Sequence, residues 1–266
     1  MKIALVYNKQ KPLVDEVVSK IKSWASFENH TINSLPKLDR SVEFVIALGG
    51  DGTMLRAVRE TGELEIPVMG INLGGLGFLT AFQSSDIDQA LSDLSKKKVR
   101  IEKRMLVKIS VDDDVFFALN DATFNMSNDA RSIELSTYVN SEFLTRFTGD
   151  GLIVSTPTGS TAYSLAAGGP ILDPRLEAIV LTPICPHALS ARPMLVPPSY
   201  TVTVEVGSKN PNVILTIDGQ EHRVLNTSEK VNFSRSERHA MLVMPQKVSF
   251  FEILRHKMRW GGIRDA

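Results

Sequence analysis

One cysteine, Cys185, stands in a chain of 266 residues. No intrachain disulfide can therefore form, and no cysteine cluster exists to hold zinc. Flanked by Ile184 and Pro186, Cys185 reads as a small buried residue. The five histidines are scattered and show no metal-ligand spacing, so no metal-ligating residue is assigned. Net charge is also missing, since 30 Lys and Arg balance 30 Asp and Glu. That excludes a nucleic-acid binder working through a strongly basic surface. The one basic run, Lys96-Lys97-Lys98 with Arg100, reads as the solvated end of a helix. No segment approaches the roughly 20 apolar residues of a membrane span. The apolar run Met1–Tyr7 stops at Asn8, too short for the core of a signal peptide, and predicts a strand instead. The expectation is a cytoplasmic protein with neither nucleic acid nor membrane as partner.

What is present is the material of a globular fold: 43% apolar and 23% charged residues, long enough for one large or two ordinary domains. Residues 1–98 alternate strand and helix. Ile3–Tyr7, Phe44–Leu48 and Pro67–Ile71 are continuous apolar strands; Val14, Val17, Val18 and Ile21 repeat at helical spacing, as do Ile87, Leu91 and Leu94. Thr53 is placed to cap a helix over Met54–Glu60. This predicts a Rossmann-like parallel sheet covered on both faces. Beyond Val99 the texture changes to short alternating segments: Val107–Val111, Val115–Leu119, Ile133–Val139, Phe143–Phe147, Thr201–Val206, Val213–Ile217, Lys230–Phe233 and Ala240–Met244. They predict an all-β sandwich over residues 99–248, with a C-terminal helix in 249–266 rejoining the α/β domain.

The chemistry concentrates in a few runs. Gly49-Gly50-Asp51-Gly52-Thr53 follows a buried strand and opens a helix, the form of an anion site. It is not a P-loop, because it holds a carboxylate and no Lys. A carboxylate beside a phosphate is repelled by roughly 1–4 kcal/mol near a surface. Asp51 is tolerable there if it faces a hydroxyl to be deprotonated or a metal ion that neutralises it, so the run suggests phosphoryl transfer to an alcohol. Arg56, one turn into the helix, could return toward the loop. In Thr148–Pro170, Leu152–Val154 reads as a strand and Ser160 as the cap of a helix Thr161–Ala167, closed by Gly168-Gly169. Hydroxyls of Ser155, Thr156, Thr158, Ser160 and Thr161 would converge there on a neutral anion or sugar site. Asn120-Asp121 could read a ribose diol or an adenine edge, although alone it is a common turn pair. Asp218-Gly219-Gln220 is most simply a hairpin turn.

Gly49–Thr53, Asn120-Asp121, Asp150–Pro170 and Pro186-His187-Ala188-Leu189-Ser190-Ala191-Arg192-Pro193, in that order, resemble the bacterial NAD kinases. The resemblance implies an N-terminal α/β domain, a C-terminal β-sandwich and a cleft between them for the dinucleotide. It also implies ATP or polyphosphate as donor, a divalent cation (Mg²⁺ or Mn²⁺) as cofactor, and a homodimer or homotetramer. By position, Asp51 would activate the 2′-hydroxyl of the adenosine ribose of NAD, with Gly52 beside it and Arg56 near a phosphate. Asn120 and Asp121 would hold the adenosine. Thr161, Ala162, Tyr163, Ser164, Leu165 and Ala166 would line the NAD pocket, and Asp150 would lie toward the nicotinamide end. Arg131 and Gln220 would add further NAD contacts. The family usually has Asn-Glu where this chain has Asn120-Asp121, and some members carry Arg where this chain has Thr148. The glycine-acid loop is shared in similar form with phosphofructokinases and diacylglycerol-type lipid kinases. A lipid or sugar kinase is therefore the nearest alternative, and a non-catalytic NAD(H)-binding regulator the alternative from another class.

Overall fold

A computed structural model describes residues 1–34, 38–126, 132–207 and 213–260. The chain divides into two compact units, Met1–Lys103 with Ala240–Ala266, and Arg104–His239. The first unit carries β1 (Lys2–Tyr7), α1 (Val14–Phe27), β2 (Thr31–Ser34), β3 (Phe44–Gly49), α2 (Asp51–Thr61), β4 (Val68–Asn72), β5 (Phe82–Gln83) and α3 (Ile87–Ser95). Strands β6 (Val99–Val111), β7 (Asp114–Ala118), β8 (Asp121–Asn125), β9 (Ile133–Val139), β10 (Glu142–Gly149) and β11 (Gly151–Ser155) follow. After them come the short helix α4 (Tyr163–Ala166), β12 (Ile179–Ile184), β13 (Met194–Val196), β14 (Val202–Val206), β15 (Val213–Ile217) and β16 (Glu221–Leu225). Strand β17 (Lys230–Pro245) returns the chain to the first unit, where α5 (Phe250–Met258) lies.

In the first unit β2, β1, β3, β4 and β5 are all parallel, in that order, and Leu242–Val243 of β17 pair with β4 in the same sense. Alternate strand residues divide between two faces. Ile3, Leu5, Ile46, Leu48, Met69 and Ile71 pack with Val14, Val17, Val18 and Ile21 of α1 and with Ile87, Leu91 and Leu94 of α3. Gly70, pointing the other way, lies close to Met54 of α2, where an added Cβ would sit 3.1 Å from the methionine sulfur. The sheet is thus covered on both sides, as the apolar strands predict.

The second unit is a sandwich of antiparallel sheets. One contains β10, β9, β14 and the first half of β17, with β6 and β7 attached; the other runs β13-β12-β11-β8-β15-β16. Valines and isoleucines of β6, β9 and β14 meet Phe124, Leu152, Val154, Leu181 and Leu215 of the opposite sheet in one core. Phe124 and Phe233 cross this core edge to face, centroids 5.9 Å apart.

Several local expectations need correction. Helix α2 begins at Asp51, not Met54, with Gly50 as its cap residue, so Thr53 lies inside the first turn. Thr158–Thr161 form a 3₁₀ turn that breaks at Ala162 before the four-residue α4, so Ser160 caps no long helix. Residues 230–245 form one strand rather than two, because the polar stretch between the expected strands stays extended. Cys185 is exposed, not buried, and holds a positive φ of 43°. No described helix is long and apolar enough to cross a membrane.

Candidate functional site

Asp51 lies in the glycine loop where β3 ends and α2 begins. The Gly50 carbonyl accepts the first helical hydrogen bonds, from Thr53 N–H at 2.9 Å and Met54 N–H at 3.2 Å. The half-buried Asp51 side chain turns to the loop after β4. Its Oδ2 accepts from Phe78 N–H at 2.9 Å. Its Oδ1 accepts from Leu79 N–H at 3.1 Å, Thr80 N–H at 3.2 Å and the Thr80 hydroxyl at 3.1 Å. Four donors from three consecutive residues hold the carboxylate in one orientation. The approach requires Gly77: a Cβ there would fall 2.0 Å from Oδ1 and 2.3 Å from Thr80 Oγ1. The Asn72–Phe78 run, glycine-rich after a strand, was the available signal for this partner loop. Thr80, the donor to both the loop's order and the acid, carried no sequence signal. Gly52 is exposed beside Asp51, and Arg56 points along α2 to pair with Glu60 at 3.8 Å.

The second unit holds another cluster. Asp218, in the tight turn joining β15 to β16, receives Leu119 N–H at 2.9 Å, Asn120 N–H at 2.8 Å and Asp121 N–H at 3.1 Å. The turn itself has positive φ at Asp218 and Gly219, so the hairpin reading holds. The clamp on the Asn120-Asp121 strand entry is a role that the turn pattern concealed. The Asn120 carbonyl accepts Thr156 N–H at 2.9 Å, and a Cβ on Gly159 would collide with that carbonyl oxygen at 2.0 Å. Asn120 therefore sits between Asp218 and the 156–161 turn. Asp121 is buried; burial first, then the Asp218 charge, pushes its carboxyl up to about 7.

The expected convergence of hydroxyls is only partly present. The Thr156 hydroxyl donates to Leu119 C=O at 2.5 Å and accepts from Gly159 N–H at 3.1 Å. Ser160 donates to Pro157 C=O at 2.7 Å and accepts from Leu172 N–H at 3.0 Å. Thr161 donates to Thr158 C=O at 3.3 Å. Ser155 and Thr158 are different: both hydroxyl oxygens are buried and, among the described residues, have no partner. Of the expected pocket residues, Ser164 faces the Thr182 hydroxyl at 2.9 Å, while Thr161, Ala162 and Leu165 are half-buried and Tyr163 and Ala166 exposed. Gln220 is half-buried just after the Asp218 turn. Asp150 joins β10 to β11, and its carboxylate accepts a hydrogen bond from the Cys185 thiol. That bond, with the negative charge, raises the thiol pKa above its ordinary value. Arg131 lies outside the described residues.

Among the described residues, no group of three or more His, Cys, Asp and Glu could hold a metal ion. The Asp51 carboxylate is already an acceptor four times over. A cation cage made by protein side chains alone does not fit these residues.

Residues 4–99 match the ATP-NAD kinase N-terminal domain, and residues 119–244 the ATP-NAD kinase C-terminal domain. The chain belongs to the NAD kinase family. An NAD kinase of Solibacter usitatus is 40% identical, with 93% of each chain covered. That of Geobacter metallireducens is 38% identical, covering 98% of this chain and 99% of its own. Among solved NAD kinase structures, the Archaeoglobus fulgidus enzyme in complex with ATP aligns with a TM-score of 0.83 at 27% identity, over 97% of this chain and 99% of that one. Yeast NADH kinase complexed with NADH shares the fold, with a TM-score of 0.87 at 23% identity over 98% of this chain and 88% of that one. The α/β unit followed by a β-sandwich is the architecture of this family.

Proposed function

We propose that this chain is an NAD kinase that transfers a phosphoryl group from ATP to the 2′-hydroxyl of the adenosine ribose of NAD, making NADP. The observation that carries the reading is Asp51, a half-buried carboxylate held in one orientation at the head of α2. An alcohol is a weak nucleophile at neutral pH, and a positioned base contributes about 10²–10⁴ in rate. The transition state is loose, so orientation of the hydroxyl matters as much as removal of its proton. Asp51 does both, accepting the hydroxyl proton while its carboxylate plane is fixed. Backbone N–H groups of the glycine loop meet the phosphates, with Arg56 as a further phosphate contact.

Asn120 and Asp121 hold the adenosine portion. Thr161 through Ala166 line the NAD pocket, with Asp150 toward the nicotinamide end and Gln220 and Arg131 as further contacts. The unsatisfied hydroxyls of Ser155 and Thr158 support a polar ligand here, since a buried unpaired hydroxyl costs about 1–3 kcal/mol. Mg²⁺ or Mn²⁺ would enter bound to the donor's phosphates, whose oxygens suit these cations. The working assembly would be a homodimer or homotetramer in the cytoplasm, the size to be read by light scattering.

The test is incubation with NAD, Mg²⁺ and either ATP or polyphosphate, followed by a cycling assay specific for NADP. NADP is expected with ATP, and the parallel arm decides whether polyphosphate also serves. No NADP from the wild-type protein, or an Asp51→Asn variant with wild-type turnover, would overturn the reading.

A further inference from the structure

Thr80 is fully buried and Asn72 is 4% exposed, yet both place polar atoms in a short chain leading to Asp51. Asn72 Nδ2 lies 2.7 Å from Thr80 Oγ1, and Thr80 Oγ1 lies 3.1 Å from Asp51 Oδ1. The direction of this chain is determined by a fourth group. Gly74 N–H donates to Asn72 Oδ1 at 2.8 Å, so that oxygen is an acceptor and the amide nitrogen must face Thr80. Asn72 therefore donates to Oγ1, and the single Thr80 hydroxyl hydrogen is left to point at Asp51.

The two carboxylate oxygens are treated unequally. Oδ1 takes three donors, two N–H groups and the Thr80 hydroxyl, while Oδ2 takes only Phe78 N–H. Each carboxylate oxygen offers about two lone-pair directions. Oδ1 is oversubscribed; Oδ2 keeps a direction open. We propose that Thr80 is a positioning residue, directed by Asn72, which occupies Oδ1 and so reserves Oδ2 as the atom that receives the substrate hydroxyl. This rests on the reading of Asp51 as the acid that engages the ribose hydroxyl. Thr80 acts only through Asp51 and touches no substrate.

The decisive variant is Thr80→Val, which keeps the shape and removes the hydroxyl. We expect kcat to fall by about 10- to 100-fold, the cost of a misplaced reacting group, with KM for NAD and for ATP within about twofold. Thr80→Ser restores the hydroxyl and should recover kcat to within about threefold of wild type. In an Asp51→Asn background, Thr80→Val should change kcat by less than about twofold, because nothing is left to position. If Thr80→Val melts below the assay temperature, Asn72→Ser replaces it, with an expected loss of about 3- to 10-fold in kcat alone. Wild-type kcat in Thr80→Val, a loss that appears in KM, no recovery in Thr80→Ser, or an equal loss on the Asp51→Asn background each overturns the proposal. A fully active Asp51→Asn enzyme instead removes the reading beneath it, and so the two failures are told apart.

Discussion

Each unit contains an aspartate that gathers three consecutive backbone N–H groups from a distant stretch of chain. Asp51 takes Phe78, Leu79 and Thr80; Asp218 takes Leu119, Asn120 and Asp121. By geometry alone both are clamps, each fixing a loop that the chain reaches much later or earlier. They differ in what stands next to them. Asp51 receives a hydroxyl in addition, whereas Asp218 lies against the buried Asp121 carboxyl and raises its pKa. The lesson is that N–H bonds to a carboxylate do not identify a catalytic group.

The sharpest way to break the comparison is to neutralise both acids. Asp51→Asn should cost about 10²–10⁴ in kcat while the protein still folds. An effect confined to the melting temperature would make Asp51 a clamp like Asp218. Gly77→Ala should be next in size. The new methyl would meet Asp51 Oδ1 at 2.0 Å and must push the loop away, lowering unfolding free energy by about 1–3 kcal/mol and kcat by at least about tenfold. Unchanged kinetics would show that the loop contact is dispensable. Asp218→Ala orphans three N–H donors and should cost about 1–3 kcal/mol in stability, read by denaturant titration. Its kinetic damage should fall on KM for NAD rather than on kcat, through Asn120 and Asp121.

The last test is a pH dependence. The Asp121 carboxyl is raised from 3.8 to about 7 in the folded chain, so the folded state binds its proton more tightly than the unfolded state. Its contribution to stability is therefore fully present below about pH 4 and is lost as pH rises through about 7. Asp121→Asn cannot ionise, so its stability relative to wild type should grow across that window. A constant difference between the two proteins from pH 4 to pH 8 would contradict the coupling of Asp121 to burial and Asp218.

Much of this was legible from residues alone where the signal is local. Continuous apolar runs marked β1, β3 and β4, and helical spacing marked α1 and α3, because burial on both faces of a parallel sheet leaves a one-dimensional pattern. The glycine-acid loop was visible because close backbone approach demands glycine. Arg235, Glu237 and Arg238 interrupt the apolar signal of β17, so the residue pattern shows two pieces; in the fold Arg235 pairs with Glu177 at 2.8 Å and the strand continues. Cys185 is exposed against expectation because an apolar neighbour in sequence says nothing about a positive-φ turn at the end of β12.

Residue type and spacing alone mark β1, α1, β3, α2, β4 and α3, the glycine-rich loop that holds Asp51, and the resemblance to the family to which the chain belongs. These depend on spacing and residue type within a few positions of one another. Which groups surround each acid is a matter of tertiary structure. The fold brought Thr80 to Asp51 across 29 positions and Asp218 to Asn120 across 98. Hydrogen bonds that span such separations leave no periodicity in a chain, because either partner alone is an ordinary polar residue. The direction of the Thr80 hydroxyl depends on still another residue, Asn72, and that is a property of the packed loop rather than of any segment.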